Sequence, residues 1–107
     1  MKLFTTELQT AKLIELGFEK PKSMNGEHNG WQFMPTPAYS IGELLSFLPP
    51  IIPQESGYYI NITHDSVSWV IDYKQHGDTQ YKYIVSDVEL IDAIFDMLIK
   101  IKEKGVI

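Results

Sequence analysis

Between residues 58 and 85 apolar and polar positions alternate. Tyr58, Ile60 and Ile62 share one parity, Val67, Trp69, Ile71 and Tyr73 a second run, and Tyr81, Tyr83 and Val85 a third. Period two with β-branched and aromatic residues is the signature of half-buried strands. The segments between them, His64-Asp65-Ser66 and Gln75-His76-Gly77-Asp78, are short and rich in turn formers. Three strands joined this closely form an antiparallel meander.

Past residue 86 the period becomes helical. Ser86 followed by Glu89 reads as a capping box, and the helix should run to about Lys104, with Gly105 after it. Its apolar residues, from Val88 and Leu90 to Ile101, sweep roughly 200° of the helix surface, whereas a helix resting on a sheet needs about 100–140°. The surplus must meet another helix or a partner subunit. Asp96 and Lys100 form an i,i+4 pair of the favourable polarity, and Val106-Ile107 can fold back over the helix end.

Two shorter helices precede the strands. The first spans about Glu7 to Leu16, capped by Thr5 or Thr6 and closed by Gly17; Leu8, Ala11 and Ile14 lie on one side, Leu13 and Leu16 on another. The second opens with the capping box Ser40-Ile41-Gly42-Glu43, places Ile41, Leu44, Leu45, Phe47 and Leu48 on one face, and is stopped by Pro49-Pro50. It is the internal candidate for the surplus apolar flank. Residues 19–39 are punctuated by Pro and Gly; Trp31-Gln32-Phe33 suits a short strand or a loop equally. The pattern predicts one α+β domain over residues 1–107: a three- to four-stranded antiparallel meander with the long C-terminal helix on one face and two shorter N-terminal helices.

Composition removes several function classes. The chain has no cysteine, so disulfides, thiolate metal sites and a cysteine nucleophile are excluded. A net charge of -5 disfavours nucleic-acid binding. No apolar run approaches the ~20 residues of a membrane helix, and a cytoplasmic location is expected.

Positive chemistry is scarce. His28, His64 and His76 lack metal-ligand spacing, and His64-Asp65 and His76-Gly77-Asp78 read first as turns. A hydrolase or metal-dependent enzyme using His64 or His76 is the weaker alternative. Glu89, Asp92 and Asp96 line one helix face; they read as a solvated surface, with an acidic nucleic-acid mimic as the sharper alternative. No catalytic, cofactor or metal residue is assigned. The aromatics carry more information: Trp31 and Phe33 fall in the irregular stretch, and Tyr59 lies opposite Tyr58 and Ile60. Exposed together, these three would form a protein-binding surface.

Three blocks also carry a resemblance: Thr6-Glu7 through Lys12-Leu13-Ile14-Glu15-Leu16-Gly17, Tyr39-Ser40-Ile41-Gly42-Glu43-Leu44-Leu45 with Leu48-Pro49, and Asp92-Ala93-Ile94-Phe95-Asp96-Met97-Leu98 into Ile101-Lys102-Glu103-Lys104-Gly105. In order and spacing they resemble small proteins encoded in prophages and mobile elements of gut Bacteroidetes, over about half the chain. The resemblance implies genomic context and fold; it implies no reaction. The expectation is a non-enzymatic accessory protein that binds a host or phage protein, as monomer or homodimer.

Overall fold

The computed structural model describes residues 1–25, 36–53, 57–75 and 81–107. Its elements in chain order are α1 (Glu7–Glu15), β1 (Met24–Asn25), β2 (Thr36–Pro37), α2 (Ile41–Phe47), β3 (Tyr58–His64), β4 (Trp69–Gln75), β5 (Tyr81–Asp87) and α3 (Leu90–Glu103). The fold is α+β. Strands β3, β4 and β5 form an antiparallel meander in that order, and α3 packs across β5 and β4 with α2 at its side.

Alternation decides which side of the sheet is roofed. Ile71 and Tyr73 of β4 are fully buried beneath Ile91, Ile94, Met97, Leu98 and Ile101 of α3. Burying each such side chain contributes roughly 1.5–3 kcal/mol, so this one interface dominates the stability of the fold. The surplus apolar flank of α3 meets α2, through a cluster that includes Leu44 and Leu48. Tyr73 donates its hydroxyl to Pro49 O (2.7 Å), tying the middle strand to the chain leaving α2; burial pushes this phenol well above its usual range.

The N-terminal segment is latched to both later helices. Thr5 N donates to Tyr39 O (3.0 Å) and Tyr39 N to Thr5 Oγ1 (3.0 Å). Thr10 spends its hydroxyl proton on Thr6 O (2.8 Å), so Thr5 is the donor in the 2.7 Å Thr5–Thr10 contact. Every member of this buried polar knot is satisfied, as a low-dielectric setting demands. Lys2 then reaches α3: its backbone N donates to Glu89 Oε2 (2.9 Å) and its Nζ to Asp92 Oδ1 (2.6 Å).

The caps show where local sequence rules hold and where pairing overrides them. Ser40 and Glu43 form the expected reciprocal box, and Thr6 with Gln9 forms another. Both Gly17 and Gly105 adopt positive φ, at 95° and 75°. At the second, Gly105 N bonds Lys102 O and Val106 N bonds Ile101 O, the paired closure that satisfies the last carbonyls. The Ser86–Glu89 box does not form. Ser86 pairs with Val70 and Asp87 with Trp69 in β5, so the ladder claims the residues a cap would need. Glu89 is the N-cap, without a side-chain cap bond, and its carboxylate holds Lys2 instead.

α1 docks through the side that carries Leu13, with Thr10, and leaves Leu8 outward. Three further expectations are corrected. β4 starts at Trp69, and Val67 lies exposed in the preceding turn. Lys100 does not pair with Asp96; its Nζ donates to Ile84 O (3.1 Å) beside β5. Tyr81 does not share a face with Tyr83, for a reason given below. In the irregular stretch, β1 pairs with β2 antiparallel, and Trp31-Gln32-Phe33 lies outside the described residues.

Candidate protein-binding surface

The other side of the meander has no helix against it among the described residues. Strand parity puts Tyr59, Asn61 and Thr63 of β3 and Val70, Asp72 and Lys74 of β4 there. The β5 row is set by a bulge. Tyr73 faces Tyr83, but Lys74 faces Tyr81, so Lys82 is the extra residue in β5. A bulge reverses parity beyond it. Tyr81 is thereby turned away from α3 and onto the open face, beside Lys74, whose Nζ stands 5.6 Å from the Tyr81 ring centroid.

Register then arranges this face in three cross-strand rows: Tyr59–Lys74–Tyr81, Asn61–Asp72–Ile84 and Thr63–Val70–Ser86. With strands about 4.8 Å apart, the two tyrosines stand on the order of 10 Å from each other. Tyr59 and Tyr81 are each 48% exposed and Ile84 42%. Asp72, at the centre, is only 5% exposed. Among the described residues its carboxylate accepts one long hydrogen bond, from Asn61 Nδ2 at 3.4 Å, and no cation lies within ion-pair distance.

The two edges of the sheet differ. Residues 50–52 run along β3, with Ile60 N donating to Pro50 O (3.0 Å) and Ile52 N to Tyr58 O (3.1 Å), which adds an isolated antiparallel bridge at Ile51 and Tyr59 to a three-stranded sheet. Beyond β5 no strand is paired among the described residues; the Lys100 ammonium covers one of its carbonyls. A lysine over a free edge discourages edge-to-edge association.

Tyr59 is therefore where its parity placed it. Trp31 and Phe33 lie outside the described residues, so the expected three-residue cluster is represented by Tyr59 alone. Tyr81, Ile84 and Asp72 are its structural neighbours that sequence reading missed. The bulge hides Tyr81, and nothing in the alternation marks Asp72 as central.

The residues behind the alternative chemistries do not converge. His64 ends β3 with its ring 4.8 Å from that of Trp69; His28, His76 and Asp78 lie outside the described residues. Asp65 is occupied by its turn, accepting from Ser68 N (2.8 Å) and Val67 N (3.1 Å), and those bonds hold its carboxyl below the usual range. Among the described residues no three His, Asp or Glu side chains are grouped to hold a metal ion. Asp92 and Asp96 sit on α3, whereas Asp72 lies across the sheet from it, so these acids form no common stripe. A hollow of about 80 Å³ between residues 19–22 and α2, lined in part by Glu19, Lys22 and Glu43, is well under the ~300 Å³ of small-molecule sites.

No family model matches the chain, no curated protein matches it, and neither does any solved structure. Among the described residues no helix is long and apolar enough to cross a membrane.

Proposed function

We propose that this chain is a non-enzymatic binding protein and that the open face of its sheet is where a partner protein docks. One observation carries the reading: Tyr59, Tyr81 and Ile84 stand out, around a nearly buried carboxylate, from a sheet face that no helix covers among the described residues. Tyrosine is enriched at interface hot spots, because a rigid ring offers large contact area at small entropic cost and a polar tip. The resemblance of the helical blocks supports reading the protein as an accessory of a phage or mobile element, with a host or phage protein as its target.

The test is site-specific photocrosslinking in cells, with p-benzoylphenylalanine in place of Tyr59. A discrete crosslinked protein is expected, lost when Ile84→Glu is added on the same face. The same photoprobe at Leu8, exposed on α1, should not yield that species. No discrete species, or an equal yield from both positions, would overturn the reading.

A further inference from the structure

The position of Asp72 restricts what can cover this face. Any body seated on the sheet must cover its central position, and there it meets a carboxylate that accepts one 3.4 Å bond among the described residues. Sealing a carboxylate from water without a counter-charge is strongly unfavourable. A purely apolar cover would complete the burial of a residue already only 5% exposed and supply no counter-charge. A second copy packed face to face about the sheet centre would bring two Asp72 carboxylates together and add its own charge of -5. Nucleic-acid phosphate would be repelled by the same group.

The complementary occupant is cationic, and the flanking rings say which kind. Tyr59 lies diagonally from Asp72, within reach of a long side chain across strands. The only cations over rings among the described residues are Lys74 on Tyr81 and Lys102 on Phe18, so the Tyr59 ring is open to another. A guanidinium can present two parallel N–H donors to a carboxylate while its plane stacks on a tyrosine; an ammonium cannot do both as well. Resting on the docking reading above, we infer that the open face takes an arginine-bearing segment of a partner protein, with the guanidinium on Asp72 and its plane against Tyr59.

The probe is a blocked pentapeptide, Gly-Leu-Arg-Leu-Gly, titrated to millimolar concentration into the isotope-labelled full chain and followed by NMR. Its counterpart carries citrulline, which keeps the shape and removes the charge. The arginine peptide should shift the signals of Tyr59, Asn61, Asp72, Lys74 and Ile84, and the citrulline peptide should bind at least tenfold more weakly. In Asp72→Asn the arginine peptide should weaken by a similar factor and the difference between peptides should vanish, while Tyr59→Ala should weaken the arginine peptide with Asp72 intact. Equal binding of the two peptides, an unaffected Asp72→Asn variant, shifts confined to the acidic α3 surface, or occupation of the face by oligothymidylate instead would each overturn the assignment. If the Tyr59 crosslink and its Ile84→Glu loss persist while the peptides bind equally, the docking face stands and the cationic partner is wrong.

Discussion

Asp92 and Asp96 lie one helical turn apart on α3, yet their carboxyls are displaced in opposite directions. Burial pushes Asp92 upward, but hydrogen bonds from Lys2 and Gln9 and the Lys2 charge outweigh it, leaving the group below its ordinary value. Asp96 is raised by burial and by the charges of Asp87 and Asp92. A lowered folded pKa means the native state holds fewer protons than the unfolded chain. The Asp92 contribution is therefore present at neutral pH and lost as pH falls through its folded pKa. The Asp96 contribution has the other sign: stability is gained as pH falls through the raised pKa and given up as it rises. Lys2→Met should cost about 0.5–1 kcal/mol at pH 7, as for partly exposed pairs, with the deficit shrinking below pH ~4. Asp96→Asn should stabilise the neutral protein by a few tenths of a kcal/mol after allowance for solvent screening, and remove the gain seen on acidification. Urea titrations from pH 3 to 7 check both; a Lys2→Met deficit that stays constant across that range contradicts the Asp92 account.

At the scale of elements, local chemistry and pairing compete. The boundaries set by Thr6, Gly17, Ser40 and Gly105 follow from side chains acting on their own neighbours, and so were legible in the sequence. Gly105→Ala should cost about 1 kcal/mol, since alanine is strained at a φ of 75°; chemical denaturation measures it, and an unchanged midpoint would show that the left-handed conformation is not what glycine is needed for here. The Ser86–Glu89 start was misread because cap rules do not know how far a ladder extends. Strand parity put Tyr59 on the face opposite Tyr58 and Ile60, and the ladder keeps it there. It misassigned Tyr81, because a bulge exists only relative to a partner strand. Asp72 could be placed on a polar face but not at its crowded centre, which depends on three strands in register.

For the whole molecule, the two sides of one sheet divide the labour. The α3 side holds the apolar contacts that make the fold; the open side carries a carboxylate that a strand would do better without. Asp is disfavoured in strands and Val favoured. Asp72→Val should therefore raise stability by about 1 kcal/mol, read as a higher melting temperature, and should abolish recognition of the arginine peptide. A gain in one with a loss in the other is what a residue kept for binding produces. A destabilised Asp72→Val would instead mark the carboxylate as part of the scaffold.

The extra residue in β5 has a consequence for chain length. Removing Lys82 would bring Tyr81 directly before Tyr83, so that regular pairing alone would keep Tyr81 opposite Lys74 and its ring on the outer platform. The ladder would lose its irregularity and the platform would keep both tyrosines. A deletion variant that folds with Tyr81 still open to surface-labelling reagents would show that one residue can be dropped here without re-phasing the strand; one in which Tyr81 becomes shielded would show that the strand start slips in register instead.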